Sequence, residues 1–241
     1  MDSNKATSAG GATPVVPVQL YVVRLSPPCR AVWIYMLQNK INHELIDVDF
    51  TQGEESTPDF IIKNPHQEVP ILVDDDIVAF EGQAILRYLA TTYTNFAGYG
   101  NTARERALCE SIISWASSEL HRVVGYYYTY PQFLDRFRLP SDSANEALIE
   151  AGIKGMTKHL ETLEKRYLQK SPYLVGDEIT VADTVVATIL CQAEWVGFKF
   201  KIWPRVNQWL DNVKQQEFWD RVHDAHYQFL RELEQEVPQF D

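Results

Sequence analysis

The chain has 241 residues with an ordinary globular composition, 45% apolar and 23% charged, and a formal net charge of −11. This composition excludes wholesale disorder, and the acidity, with no block of Lys and Arg, argues against a nucleic-acid groove. No run of apolar residues is long enough to predict a membrane span. Cys29, Cys109 and Cys191 are scattered and form neither a disulfide framework nor a metal-ligand cluster, which fits a reducing cytoplasm.

The first segment, residues 1–17, is small, polar and rich in Gly and Pro, and is predicted to be a flexible tail without a secretory signal. From Val18 to Tyr93 the hydrophobic period alternates between that of strands and that of helices. The predicted strands are Val18–Val23, Glu44–Asp49, Pro70–Val73 and Ile77–Phe80. Helices are predicted from Pro27 and over Gln83–Tyr93. Two crossover connections followed by a hairpin predict a mixed four-stranded sheet.

The second half of the chain is predicted to be entirely helical. The segment Thr94–Thr102 is polar and contains Gly, as expected of a linker. The helices predicted beyond it are Ala103–Tyr127, Asn145–Leu168, Val181–Val196 and Asn207–Asp220, followed by an amphipathic run over Glu217–Glu234. The sequence thus predicts an α/β domain over residues 18–93, a linker over 94–102 and an all-helical domain over 103–241.

Ser26 stands between the first strand and the first helix, which is the position of the C-x-x-C motif in thioredoxin-like folds. It occupies the place of the first cysteine, so a dithiol redox cycle is not available. A hydroxyl at a helix N-terminus can instead donate a hydrogen bond to a bound thiolate, and the helix dipole favours an anion there. The alternative is that Ser26 only caps the helix, and the residues alone leave both interpretations open.

Two further segments contain candidate ligand contacts. A cis peptide bond between Val69 and Pro70, at the start of the third strand, would turn the Val69 backbone outward to pair with a peptide. The alternative is a rigid turn without a ligand. Glu81 lies at a strand-to-helix junction, where a carboxylate either caps the helix or accepts the ammonium group of a ligand.

Three motifs at these intervals resemble the glutathione-binding domain of cytosolic glutathione transferases. They are Ser-x-Pro-Cys-Arg at 26–30, Asn-Pro-x-x-x-Val-Pro at 64–70 and Glu-x-x-Ala-Ile-Leu-x-Tyr-Leu at 81–89. The resemblance is closest to the serine-using theta class and extends from Val18 to the C-terminus. In the helical half, Gly-Asp-x-x-Thr-x-x-Asp at 176–183 looks like the family's capping box, which is a folding device. The resemblance implies a thioredoxin-like domain followed by an all-helical domain, and a cytoplasmic homodimer.

The resemblance also implies roles for individual residues. Ser26 matches the serine that activates the glutathione thiol, Val69 the residue whose backbone pairs with the cysteinyl unit, and Glu81 the acid that holds the γ-glutamyl amine. Gly82 stands where the family usually has a serine for the γ-glutamyl carboxylate, and only its backbone N–H can meet that group.

Two acids stand where the resemblance implies positive charge for the glycyl carboxylate of glutathione. Glu68 replaces a lysine and Glu55 lies near the place of a histidine, so both would repel that carboxylate unless they point to solvent. Gln67 is expected to compensate in part. The implied glutathione contacts are therefore Gln67, Glu68, Val69, Glu81 and Gly82.

Several remaining residues have structural and functional interpretations. Cys29, one turn into the first helix, is predicted to be a small buried residue rather than a nucleophile. The aromatic run Tyr126–Tyr130 is expected to line a pocket for the electrophile between the domains, with at least half of it in the core. His223 and His226 are predicted to lie on the surface, and the spacing of the six histidines predicts no metal site.

Three functions remain open. The first is an enzyme in which glutathione, the cosubstrate, binds as a thiolate held by Ser26 and attacks a small hydrophobic electrophile, as in detoxification. The second is a non-catalytic binding module similar to the transferase-like domain of elongation factor 1 gamma, which Gly82 and the two acids favour. The third is glutathione-dependent dehalogenation, peroxide reduction or isomerisation at the same site. The hydroxyl of Ser26 favours an enzyme.

Overall fold

A computed structural model describes residues 16–236, so the predicted tail, residues 1–17, lies outside the described residues except for its last two. The N-terminal half contains strands β1 (Val18–Val22), β2 (His43–Asp47), β3 (Ile71–Asp74) and β4 (Ile77–Phe80). They form one sheet in the order β2-β1-β3-β4. β1 pairs parallel with β2 and antiparallel with β3, and β3 pairs antiparallel with β4. The predicted mixed sheet is confirmed.

Helices cover both faces of this sheet. They are α1 (Pro27–Gln38), α2 (Pro58–Lys63) and α3 (Gly82–Leu89). Successive side chains of a strand point to opposite faces. Leu20 and Leu72 accordingly belong to the main core with α1 and α3, whereas Ile71 packs with Phe60 of α2 in a second cluster. This arrangement is the thioredoxin-like domain that the resemblance implied.

The second half is helical, as predicted. Its helices are α4 (Ala103–Trp115), α5 (Asp142–Thr162), α6 (Val181–Leu190), α7 (Pro204–Lys214) and α8 (Trp219–Glu236). α4 continues in wide, π-helical turns to Thr129, α5 does so to Tyr167, and α6 continues as a 3-10 helix to Val196. Within residues 16–236, every helix is too short or too polar to span a bilayer. The division of the chain at residues 94–102 stays a prediction.

The break between α7 and α8 coincides with contacts to other helices. Phe218 takes a left-handed backbone conformation with φ of 70°. The Gln216 side chain bonds to Gln38 of α1 at 2.7 Å and to Thr184 of α6 at 3.3 Å. No Gly or Pro marks this turn in the sequence, and the hydrophobic periodicity runs through it. The single helix predicted over Asn207–Asp220 is therefore wrong.

The prediction that His223 and His226 lie on the surface is also wrong, because both are fully buried in α8. The His223 ring stacks on Trp219 with centroids 3.8 Å apart, and its Nδ1 lies 2.9 Å from the Trp219 carbonyl oxygen. The indole of Trp195 donates to His226 Nδ1 at 3.1 Å, and His226 Nε2 lies 3.1 Å from the Glu194 carboxylate. An i, i+3 pair indicates a shared helix face, but α1 and the 3-10 extension of α6 cover that face here.

The capping box at the start of α6 is confirmed and extends beyond α6. Asp183 is fully buried and accepts hydrogen bonds from the N–H and the hydroxyl of Thr180, both at 2.9 Å. It also accepts from the Leu174 N–H at 2.9 Å and from the Trp209 indole at 2.8 Å. One carboxylate thus joins the loop before α6, the first turn of α6 and α7.

Replacing Asp183 by alanine is expected to lower the free energy of unfolding by about 3 kcal/mol or more, because it leaves several buried donors unpaired. Urea unfolding followed by tryptophan fluorescence measures this change. Asp211→Ala, at an exposed position of α7, is the matched control and should change the free energy by less than about 0.5 kcal/mol. Equal effects of the two substitutions would contradict the role given to Asp183.

The buried histidines of α8 predict that acid destabilises the fold. Burial lowers the pKa of His226 to about 4 and lowers the pKa of His223 as well. In the unfolded chain both rings take up protons near pH 6.5. Below about pH 6.5 the unfolded state therefore binds more protons than the native state, and the free energy of unfolding falls as the pH falls.

His223→Phe keeps an aromatic ring on Trp219 but removes one of these groups. The variant should make the pH dependence between about pH 6 and pH 4.5 shallower by roughly 1.4 kcal/mol per pH unit. Urea unfolding at a series of pH values measures the slope. A variant with the wild-type slope would show that His223 titrates alike in the folded and unfolded states.

Candidate active site

A cavity of about 310 Å³ lies between the two halves of the molecule. The start of α1, the turn at Val69 and the start of α3 form one wall, and α4, its continuation and α6 form the other. Four of the predicted site residues line it, namely Glu68, Val69, Glu81 and Gly82. Ser26 and Gln67 do not line it, although Pro28, two residues after Ser26, does.

Ser26 occupies the N-cap position of α1 with an extended backbone, φ −74° and ψ 124°. Its carbonyl oxygen accepts the Arg30 N–H at 3.1 Å, which begins the helix. Its hydroxyl makes no capping hydrogen bond. Pro27 and Pro28 follow and have no N–H, so the Cys29 N–H is the first backbone donor within α1. The Ser26 hydroxyl is therefore one of the few donors that this helix start can offer to an anion.

Cys29 is buried, as predicted. Burial raises the pKa of its thiol to about 11, against the opposing effect of the nearby Ser26 hydroxyl. Because the thiolate is the reactive form of cysteine, Cys29 is unreactive near neutral pH. Burial likewise raises the pKa of Cys109 and Cys191 to about 12. None of the three cysteines is suited to be the nucleophile.

Val69 presents an unpaired backbone edge at the cavity. The Val69–Pro70 peptide bond is cis. The N–H and C=O of Val69 make no hydrogen bond with any residue in the range 16–236. The turn before it is held by Asn64, whose side-chain amide donates to the Glu68 carbonyl at 2.9 Å. Because Val69 lines the cavity, an extended peptide bound there could pair with its backbone.

Gln67 and Glu81 both have left-handed backbones, with φ of 58° and 68°. Such a conformation costs a residue with a Cβ on the order of 1 to 3 kcal/mol, and it is concentrated at binding sites. The Glu81 side chain makes no capping hydrogen bond to α3, so capping does not account for this residue. Its carboxylate is instead available at the cavity to accept an ammonium group.

Gly82 allows α3 to begin directly against α1. A Cβ added at Gly82 would lie 3.0 Å from the Cβ of Pro28, which is closer than an ordinary contact. The glycine is therefore explained by the close approach of two helix starts. The first N–H groups of a helix have no partner within it, so Gly82 and Gln83 offer backbone donors at the cavity. Such donors suit a carboxylate.

The two unexpected acids differ in their surroundings. Glu68 lines the cavity, and partial burial raises the pKa of its carboxyl, an effect that Arg136 opposes and Glu81 reinforces. Glu55 does not line the cavity, and one of its carboxylate oxygens is buried without a hydrogen-bond partner in the described part of the chain. Negative charge therefore reaches the cavity from Glu68 and Glu81.

The predicted aromatic run is divided between the cavity and the core. Tyr126 lines the cavity, whereas Tyr130 is buried and Tyr127 and Tyr128 pack against the main core. His121, one helical turn earlier, also lines the cavity, and no pattern in the sequence points to it. Burial lowers its pKa to about 4, so its imidazole is neutral near pH 7. Its Nε2 lies 2.9 Å from the Tyr130 hydroxyl.

Two buried polar side chains, Arg30 and Gln192, connect the helical wall of the cavity to Leu25, the residue before Ser26. The Arg30 guanidinium, 1% exposed, donates through Nη2 to the Thr188 carbonyl at 3.2 Å and to Gln192 Oε1 at 3.0 Å. The Gln192 amide nitrogen donates to the Leu25 carbonyl at 3.3 Å and to the Tyr130 hydroxyl at 3.2 Å. The helical half thus holds the backbone next to Ser26. Gln192 belongs to no sequence motif, so the sequence alone does not identify it as a residue of the site.

Comparison with known families agrees with this geometry. Residues 20–97 match the model described as glutathione S-transferase, N-terminal domain. Residues 127–217 match the model described as glutathione S-transferase, C-terminal domain. The first match contains every predicted site residue, and the second contains Tyr130 and Gln192.

Individual relatives and solved structures cover most of the chain. Glutathione S-transferase theta-1 of Bos taurus is 30% identical over 203 residues, 82% of each chain. Glutathione S-transferase theta-1 of Homo sapiens is 29% identical over 220 residues, 89% of each chain. The structure of human glutathione-S-transferase T1-1, apo form, is similar with a TM-score of 0.77 at 29% identity, over 90% of this chain and 91% of that one. The chain belongs to the glutathione S-transferase family, with theta-class members among its relatives.

Proposed function

We propose that this glutathione transferase holds glutathione as its thiolate at Ser26 and transfers it to a small hydrophobic electrophile in the cavity between the halves. The observation that carries this proposal is the Ser26 hydroxyl, which stands at the start of α1 and is not used for capping. The theta-class relatives support glutathione as the cosubstrate.

A single hydroxyl donor at this position is sufficient for the chemistry. An ordinary thiol has a pKa near 8.5, and lowering it by ~2 units requires ~2.7 kcal/mol. One charge-assisted hydrogen bond together with the helix dipole is of this size. Because the protein's own cysteines are buried, with raised pKa values, the reactive thiol comes from the ligand.

The described groups around the cavity fit the remaining parts of glutathione. The unpaired backbone of Val69 would pair with the cysteinyl unit, and the Glu81 carboxylate would accept the γ-glutamyl ammonium. The N–H of Gly82 would meet the γ-glutamyl carboxylate. The glycyl carboxylate would then lie toward Gln67 and Glu68, where the Glu68 charge opposes it. The sulfur would lie at the α1 edge of the cavity, beside Pro28.

A non-catalytic binding module remains the second candidate. The negative charge of Glu68 at the cavity favours it, because this charge opposes the glycyl carboxylate of glutathione. The Ser26 hydroxyl, which does not cap α1, favours the enzyme. Dehalogenation, peroxide reduction and isomerisation would use the same thiolate. We also propose a cytoplasmic homodimer, as in the family, acting without a metal, a nucleic acid or a membrane.

Ser26→Ala is expected to lower kcat/KM for glutathione conjugation by about 10²-fold, because it removes the donor to the thiolate. It should leave the free energy of unfolding within about 0.5 kcal/mol of wild type, since the hydroxyl caps nothing. Conjugation assays with calorimetric titration of glutathione measure binding and chemistry separately. No detectable heat at about 10 mM glutathione would exclude useful binding and overturn the proposal.

Ser141→Ala is the matched control, because Ser141 does cap a helix. Its hydroxyl accepts the Ala144 N–H at 3.2 Å at the start of α5. This variant should lose about 1 kcal/mol of stability and keep its activity. If Ser26→Ala behaves like Ser141→Ala, Ser26 is only a cap and the proposed mechanism fails.

Glu68→Lys is expected to tighten glutathione binding roughly tenfold, because it replaces repulsion of the glycyl carboxylate by attraction. Glu68→Gln, which only removes the charge, should give a smaller gain. Glu146→Lys makes the same change of charge at an exposed position of α5 and is the control for net charge. Calorimetry measures the dissociation constants. An unchanged constant in Glu68→Lys would place the glycyl carboxylate elsewhere.

A further inference from the structure

We infer that His121 is a hydrogen-bond donor to the electrophile and favours electrophiles on which thiolate attack places negative charge on an oxygen. α,β-Unsaturated ketones are the chemical class that fits best. The inference rests on the proposed function, because it concerns the second substrate of the same cavity. It depends on a chain of four side chains that runs from Arg30 to the cavity wall.

Arg30 sets the direction of every hydrogen bond in this series of four side chains, because a guanidinium can only donate. Its Nη2 donates to Gln192 Oε1 at 3.0 Å, which leaves the amide nitrogen of Gln192 as the donor on the other side. That nitrogen donates to the Leu25 carbonyl at 3.3 Å and to the Tyr130 hydroxyl oxygen at 3.2 Å. The Tyr130 oxygen is therefore an acceptor toward Gln192.

The proton of the Tyr130 hydroxyl is then free to be donated to His121. The Tyr130 oxygen and His121 Nε2 are 2.9 Å apart. His121 is neutral near pH 7, since burial lowers its pKa to about 4, and Nε2 can accept. A neutral imidazole that accepts at Nε2 carries its proton on Nδ1. The chain from Arg30 thus selects one tautomer of His121.

The contacts of the ring leave Nδ1 on the edge that faces away from Gly125. The opposite edge lies against Gly125, where an added Cβ would be 3.0 Å from His121 Cδ2. The rings of Tyr126 and Tyr130 flank the imidazole edge-to-face, with centroids 5.2 Å and 6.0 Å away. Nδ1 has no hydrogen-bond partner within residues 16–236, and His121 lines the cavity. An N–H donor is therefore available to a molecule bound there.

Another polar side chain of this wall is already occupied. The Thr188 hydroxyl donates to the Val185 carbonyl at 2.9 Å within α6. Ile113, Val185 and Ile189 contribute apolar surface around it. An electrophile with an apolar body and one acceptor oxygen would match this wall better than a hydrocarbon without an acceptor.

The addition of glutathione to an unsaturated ketone uses such a donor. The thiolate forms a C–S bond at the β-carbon, the C=C electron pair shifts toward the carbonyl, and negative charge develops on the carbonyl oxygen. The His121 N–H stabilises this charge without giving up its proton. The α-carbon then takes a proton from water, which replaces the proton that the thiol releases on binding. In displacement of chloride from an aryl-methyl chloride, no oxygen becomes charged.

The test compares two electrophiles that share a phenyl ring, 4-phenyl-3-buten-2-one and benzyl chloride, each with glutathione. His121→Phe is expected to lose at least about tenfold more kcat/KM with the ketone than with the chloride. His121→Asn keeps an N–H donor near the place of Nδ1 and should recover part of the selective loss. Tyr130→Phe removes the hydroxyl that donates to His121 Nε2, so His121 is no longer held in one tautomer. This variant should show a smaller selective loss.

His159→Phe is the matched control, since His159 is a half-buried histidine of α5 that packs on Trp115 at 5.3 Å and does not line the cavity. It should leave both reactions unchanged. Equal losses on both electrophiles in His121→Phe, or no recovery in His121→Asn, would overturn the inference. A wild type that conjugates the chloride but not the ketone would overturn it as well. A wild type that neither binds glutathione nor conjugates either electrophile would refute the proposed function itself.

Discussion

The buried guanidinium of Arg30 is the interaction on which the relation between the two halves depends. A charge withdrawn from water needs acceptors around it. Arg30 Nη2 has two of them, at Thr188 and Gln192, far along the chain, whereas Nε and Nη1 have none in the described part of the chain. Gln192 in turn holds the carbonyl of Leu25, next to Ser26. The start of α1, and with it the proposed thiolate site, is therefore placed by the helical half as much as by the sheet.

Most of the fold could be predicted because local patterns encode it. The strand periods predict the sheet, and the spacing of Thr180 and Asp183 predicts a capping box that the structure confirms. The motif around Glu81 likewise predicts a residue at the cavity wall. The break before α8 is not predictable from local patterns, because no Gly or Pro accompanies it and the Gln216 side chain within it contacts α1 and α6, which are distant in sequence.

The helical contribution to the site could not be predicted in the same way. His121 and Gln192 belong to no motif, and their hydrogen bonds become visible only when α4, α6 and α1 are packed together. His223 and His226 show the same limit, because their spacing indicates a common helix face but does not indicate what covers it. Sequence patterns report the neighbours along one element, whereas these roles depend on neighbours from several elements.

The close approach of Gly82 and Pro28 limits which substitutions this site can accept during evolution. A side chain at position 82 requires the first turn of α1 to move by a few tenths of an ångström, and that turn also carries Ser26. Under the proposed binding mode, a mutation that placed a hydroxyl at position 82 for the γ-glutamyl carboxylate would also disturb the proposed thiolate end of the ligand. The two ends of the proposed glutathione site thus share one packing contact, and a substitution that improves one end would call for a compensating change at the other.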